Sequence, residues 1–286
     1  CLQENRRGIF AAGRMTTGEC AQMDMIRVNG QTLHYADTGE SDLPVMVFAN
    51  SLGTDFRSWY RVVQRLAGKF RLVRYDKRGH GLSSAPDAPY SMSDHVGDLA
   101  ALLDALHLRS VMLVGLSVGG QIAQGLADTR PDLVKALVLC DTAAKIGTPE
   151  MWADRMSAIQ EGGIEILATA ILERWFSEAF RASRPEELAG WRAMLTRTPV
   201  QGYLGTCAAI RDTDYTGQTA RLTLPVLCVC GTEDGSTPEE LVQATARLIE
   251  GARYVPVAGA GHLPCIECPD ALVAATTGFI QENHLV

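Results

Sequence analysis

Hydrophobic residues fall along the chain in two kinds of run. Short continuous apolar stretches occur at PVMVFAN (44–50), RLVRYD (71–76), VMLVG (111–115) and KALVLCD (135–141). Such runs, without polar alternation, mark strands buried on both faces, as in a parallel sheet beneath helices. Longer segments with apolar residues at helical spacing lie between them: Trp59 to Leu66, MSDHVGDLAALLDAL at 92–106 with Ser91 or Ser93 as N-cap, and 118–128. MIRVNGQTLHYADTG at 25–39 instead reads as a hairpin turning at Asn29-Gly30.

The rhythm breaks between 142 and 222. No long apolar strand run occurs there, and TPEMWADRMSAI, IEILATAILERWFSEAF and PEELAGWRAML each show helical spacing. Alternation resumes with PVLCVCG (225–231), a helix from Pro238 to Ile249, ARYVPV (252–257) and a last helix from Pro269 to Ile280. The pattern predicts an α/β protein: a mostly parallel eight-stranded sheet, helices on both faces, and a helical insertion after the sixth strand. The expected division is a core of 25–141 and 223–286 with a helical cap of 142–222. Residues 1–24 look unlike the rest and are expected to be a disordered or artefactual extension, with a natural start at Met23 or Met25. Their Arg6-Arg7 pair is not followed by the apolar segment of an export signal.

Composition narrows the function classes. A chain of 286 residues that is 47% hydrophobic can bury a large core in one domain carrying an insertion. Its formal net charge of −7 argues against nucleic acid and anionic membrane surfaces as partners. The same charge gives an anionic ligand no general attraction, so such a ligand needs local cations. No apolar run is long enough for a transmembrane helix. No heptad or exposed apolar stripe argues for self-association. Of the eight cysteines, Cys140, Cys228 and Cys230 sit in apolar runs and read as small buried side chains. Cys265-Ile-Glu-Cys268 has no second pair or histidine cluster to complete a metal site, so neither metal nor redox use is expected. Without a secretion signal, a cytoplasmic location is expected.

One hydroxyl stands between glycines where the third buried strand run meets a helix. Gly115-Leu116-Ser117-Val118-Gly119 fits the G-x-S-x-G pattern of a nucleophile on a sharp strand-to-helix turn. The glycines remove Cβ atoms that would clash in such a turn, and the serine lies at a helix N-terminus that favours developing negative charge. A serine needs a base. Among six histidines, His262 in AGAGHLP has the right setting, just past a strand and before the last helix. His80 in DKRGHG reads as a structural loop residue; His95, His107 and His284 read as solvated surface groups. The acid that orients the base is expected at Asp234, after the PVLCVCG strand, in the chain order Ser, Asp, His. Glu233, one residue away, has the same chemistry, and Asp141 at the end of the preceding strand is the rival. For the oxyanion, the backbone N–H of Val118 is one expected donor, and that of Leu52, in the loop Asn50-Ser51-Leu52-Gly53, is the other.

From about residue 25 to 282 the chain resembles an α/β-hydrolase. More narrowly it is similar to the 3-oxoadipate enol-lactonases. That likeness lies in NSLGTDFRSW, YDKRGHGLSSAP, GLSVGGQIAQGLA and, within the insertion, CDTAAKIGTPEMWADR, ILERWFSEAF and TPVQGYLGTCAAIRDTD. The elbow supports only the class; the insertion carries the narrower match. The resemblance implies hydrolysis of a small cyclic enol ester bearing a carboxylate, in aromatic compound catabolism, to give 3-oxoadipate without metal or organic cofactor. Only the hydrolase step is expected of this chain. A cap arginine is then the expected partner of the substrate carboxylate, with Arg57, Arg155 and Arg174 as candidates. Trp152, Trp175 and Phe176 would either line an apolar wall or pack the cap. A broad carboxylesterase or cofactor-free perhydrolase would use the same triad. A haloalkane dehalogenase would need a carboxylate at position 117, and a ligand-binding receptor would have no need of a complete triad.

Overall fold

The computed structural model describes residues 24–286. The extension expected at 1–24 lies outside the described residues except for Asp24, which opens the first strand. The hairpin forms from β1 (Asp24–Val28) and β2 (Gln31–Thr38), turning through Asn29 at φ 46° and Gly30 at φ 75°. Both angles are left-handed, as a two-residue turn between twisted strands requires. β3 (Val45–Ala49) leads through a 3-10 turn at Phe56–Trp59 into α1 (Tyr60–Leu66). Then come β4 (Arg71–Tyr75), α2 (Met92–Ala105), β5 (Val111–Leu116), α3 (Val118–Thr129) and β6 (Val134–Cys140). Ser91 caps α2 in a reciprocal capping box with Asp94.

After β6 the chain runs through α4 (Pro149–Gly162), α5 (Glu165–Trp175), α6 (Glu178–Ser183), α7 (Pro185–Thr196), α8 (Val200–Arg211) and α9 (Thr216–Thr219). It then returns to the sheet with β7 (Val226–Gly231), α10 (Glu239–Leu248) and β8 (Arg253–Val257), and ends in α11 (Pro264–Glu267) and α12 (Pro269–Glu282). The four-residue α11 was not foreseen, being too short to show a period.

The sheet order is β1-β2-β4-β3-β5-β6-β7-β8, with antiparallel pairing only at β1–β2 and β2–β4. The central strands are buried along nearly their whole length, which is why they read as unbroken apolar runs. Helices α1 and α12 pack together, and α2 packs on α3. In such a sheet the crevice opens beyond the carboxyl ends of the strands where the strand order reverses, here between β3 and β5. The loop after β3 and the serine after β5 meet there. No helix among the described residues is long and apolar enough to cross a membrane.

Candidate active site

Ser117 occupies the turn between β5 and α3 at φ 58°, ψ −122°, a region that residues with a side chain rarely enter. The turn is tied to its neighbour strand. Ser117 N–H donates to the Cys140 carbonyl at 3.0 Å, and Thr142 Oγ1 donates to the Ser117 carbonyl at 2.6 Å. A Cβ at Gly119 would collide with the Ala49 carbonyl, and one at Gly115 with the Gly119 carbonyl. The two glycines of the motif are therefore required by close backbone approach.

His262 lies in the loop after β8 and Asp234 in the loop after β7, both buried. Nδ1 of His262 stands 2.9 Å from Asp234 Oδ2. Asp234 accepts from four donors: His262 Nδ1, Thr237 Oγ1 at 2.6 Å, Ser236 N at 2.7 Å and Thr237 N at 3.1 Å. Burial alone would raise the Asp234 pKa, but His262 and these hydrogen bonds outweigh it and hold the carboxyl below its ordinary value. An ionised Asp234 fixes the imidazole proton on Nδ1 and leaves Nε2 with its lone pair. Nε2 is 3.5 Å from Ser51 Oγ, and no hydrogen bond to Ser117 Oγ forms among the described residues. Catalytic hydrogen bonds are commonly long in a free enzyme and shorten around bound substrate.

Asp141, the rival acid, is near but differently placed. Its Oδ1 accepts from Gly231 N at 2.8 Å, and its Oδ2 is buried without a partner among the described residues. Ligand atoms of Asp141, Cys230 and Asp234 lie within 4.8 Å of one another. Two carboxyl groups that close in a dry environment do not both ionise. Burial, and then the charge of Asp234, push the Asp141 pKa well above its ordinary value. Asp141 is the neutral member, and His262 contacts Asp234. Glu233 is exposed.

The loop after β3 is held from several sides. Gly53 N donates to His80 Nε2 at 3.0 Å, Lys77 Nζ donates to the Ser51 carbonyl at 2.6 Å, and Asn50 Nδ2 donates to the Thr54 carbonyl. His80 is fully buried, as a structural role requires, but His95 is buried too, beside Thr206 and edge-on to Tyr90. The surface role expected for His95 is thus corrected, because helix α2 turns that side chain inward; His107 and His284 are exposed. Among the described residues no loop, turn or side-chain acceptor takes the N–H of Leu52 or of Val118.

Ser117, His262, Ser51 and Leu52 line a cavity of about 70 Å³ together with Trp152, Arg155 and Arg174 from the helical segment. Arg155 stacks over Trp152, its guanidinium carbon 4.8 Å from the ring centroid. Neither arginine has a carboxylate within 4.0 Å among the described residues; Arg174 Nε donates to Ala170 O of its own helix. Burial and the charge of Arg155 together lower the Arg174 pKa. Arg57 is placed elsewhere: it is mostly exposed, paired with Asp55 at 2.6 Å, and lines a separate groove of about 980 Å³. Proximity in sequence to the loop after β3 did not carry it into the cavity, because Asp55 two residues earlier captures the guanidinium. Trp175 and Tyr203 also line the cavity, whereas Phe176 is buried against Phe180.

Three contacts went unforeseen. Thr237 bonds to Asp234 from the same loop. Gly235 N donates to the Arg174 carbonyl at 3.2 Å. Glu267 of α11 accepts from Gly261 N at 2.8 Å, Ser177 N and Ser177 Oγ at 2.6 Å, tying the histidine loop to the helical segment. Only Thr237, three residues from the acid, left any local signal.

A serine at a strained strand-to-helix turn, beside an Asp–His pair at the carboxyl edge of a mostly parallel sheet, defines a protein class. Residues 46–275 match the model of the alpha/beta hydrolase family, and the chain belongs to that family. It is 31% identical over 266 residues to 3-oxoadipate enol-lactonase 2 of Acinetobacter baylyi, covering 90% of this chain and 96% of that one. The crystal structure of the enol-lactonase from Burkholderia xenovorans superposes with a TM-score of 0.87 at 36% identity, covering 90% of this chain and all of that one. A thermophilic esterase from Thermogutta terrifontis superposes with a TM-score of 0.85 at 28% identity, covering 92% of this chain and 100% of that one.

Proposed function

We propose that the protein opens 3-oxoadipate enol-lactone with water to give 3-oxoadipate. Ser117 attacks the lactone carbonyl as His262 Nε2 takes its proton, and Asp234 stabilises the imidazolium. The N–H groups of Leu52 and Val118 receive the oxyanion. Ring opening expels an enolate, a better leaving group than an ordinary alkoxide. His262 then activates water to hydrolyse the acyl-serine, and the freed enol relaxes to the ketone. The 142–222 segment serves as a cap whose Arg155 and Arg174 bind the substrate carboxylate, with Trp152 as an apolar wall. Arg57 is not part of this reading.

The observation that carries it is the cavity itself, lined by the serine, the histidine and two guanidinium groups that have no carboxylate partner among the described residues. A neutral ester gives such a pair nothing to bind; a carboxylate fits the guanidinium fork. The test is kcat/KM for 3-oxoadipate enol-lactone beside p-nitrophenyl acetate, with Ser117→Ala as control. A strong lactone preference that Arg174→Met and Arg155→Met reduce through KM, while the acetate is unaffected, supports the assignment. Equal or better turnover of the acetate would make the protein a general carboxylesterase.

A further inference from the structure

Lys77 follows β4 in the segment Asp76-Lys77-Arg78-Gly79-His80 and is 1% exposed. A buried ammonium ordinarily pairs with a carboxylate. Here, among the described residues, its acceptors are two main-chain carbonyls, Ser51 O at 2.6 Å and Thr54 O at 3.4 Å. The Ser51 carbonyl also accepts from Thr54 Oγ1 at 2.9 Å and Thr54 N at 3.3 Å, so Lys77 supplies its only charged donor among the described residues.

The Ser51 carbonyl and the Leu52 N–H are opposite ends of one conjugated peptide unit. A cation bonded to the oxygen draws electron density through the C–N bond and makes the N–H a stronger donor, the ordinary cooperativity of hydrogen-bond chains in a low dielectric. We propose that Lys77 is a positioning residue of the oxyanion hole: its buried ammonium fixes the Ser51–Leu52 peptide and polarises it, so that the Leu52 N–H binds the developing oxyanion more strongly. This rests on the reading of Ser117 as nucleophile and Leu52 N–H as oxyanion donor. His80 fixes the next peptide by accepting the Gly53 N–H on Nε2, with Nδ1 turned to the Arg78 carbonyl at 3.2 Å.

The groups facing Lys77 make its charge conditional. Asp76 and Asp55 favour the ammonium, while burial opposes it more strongly and brings its pKa down to about 7. His80 and His95 are buried nearby and held neutral, with pKa values lowered by burial and then by the Lys77 charge. The polarising charge is therefore present below about pH 7 and is lost above it.

The experiment compares wild type with Lys77→Met, using p-nitrophenyl acetate as substrate and an aryl trifluoromethyl ketone, which forms an oxyanion on the serine, as probe. In Lys77→Met, kcat is expected to fall roughly tenfold or more, short of the roughly 10²–10³ lost with an oxyanion donor itself. KM should stay within about twofold and the ketone should bind more weakly by the same factor as kcat, because the interaction is made in the transition state. The high-pH decline of wild-type kcat should disappear in the variant. Unchanged kcat and ketone affinity, or a loss of thermal stability alone, would overturn the proposal. Should Lys77→Met fail to fold, the wild type still decides. The Leu52 amide proton must shift with the same midpoint as the Lys77 side-chain carbon signal when titrated by NMR, and a Leu52 signal indifferent to that titration overturns the polarisation. Absence of lactone turnover with these differences intact overturns only the substrate assignment.

Discussion

Ser117 holds a backbone conformation that costs on the order of 1–3 kcal/mol. The surrounding glycines and the Thr142 and Cys140 contacts maintain it. Ser117→Ala should therefore fold as wild type by circular dichroism and thermal melt, yet lose lactone hydrolysis by several orders of magnitude. The two aspartates separate by substitution. Asp234→Asn is expected to lower kcat by roughly 10⁴, the scale seen when an orienting carboxylate becomes an amide. Asp141→Asn, which replaces a neutral acid by a neutral amide, should change steady-state kinetics little; the reverse ranking would move the acid to Asp141. Lys77 makes a stability prediction with a definite sign. Its folded pKa of about 7 lies below the ordinary lysine value of 10.5. The folded state sheds its proton first, so between those two values the unfolded state binds more protons and stability rises with pH. Urea titrations at pH 6 and pH 9 should show wild type gaining stability relative to Lys77→Met at the higher pH. Ser117, His262 and Asp234 could be singled out in the sequence because each follows a recognisable strand run. The contacts that hold the loops around them could not, since Lys77 reaches the Ser51 carbonyl and Glu267 the Gly261 N–H from segments with no catalytic signature.

The strands were readable because each central strand is buried on both faces, leaving an unbroken apolar run. The helical segment was readable as helices, but its sequence could not say which residues point into the cavity: Arg155 and Arg174 do, and Trp152 packs beneath Arg155. Arg57 shows the converse, since hydrogen bonds to Asp55, two residues earlier, settled its direction locally. The elbow makes an element-level prediction. Gly119→Ala drives a Cβ into the Ala49 carbonyl between β3 and α3. Neither backbone segment can yield without moving the loop of Leu52 or the N-terminus that carries Val118. Both the melting temperature and kcat should fall, with expected destabilisation of about 1–3 kcal/mol by chemical denaturation; a variant with unchanged stability and activity would sink this account of the motif.

At the scale of the molecule, an overall charge of −7 surrounds a cavity holding two arginines that have no carboxylate partner among the described residues. Exposed charges act over roughly 10 Å at about 0.1 M salt, and buried ones are screened much less. Salt should then weaken the general repulsion of an anionic lactone more than its capture by Arg155 and Arg174. Raising ionic strength from roughly 10 to roughly 150 mM is expected to hold or modestly raise kcat/KM for the lactone. A steep fall would mean that exposed cations, rather than the cavity, gather the substrate.

The ties between the helical segment and the loops of Asp234 and His262 have a mechanical consequence. The Arg174 carbonyl is bonded to Gly235, next to Asp234, and Ser177 is bonded through Glu267 to Gly261, next to His262. The segment that carries Arg155 and Arg174 is thereby coupled to both loops. Lifting it as a body would pull on the loops of Asp234 and His262 together, so the two share one mechanical fate.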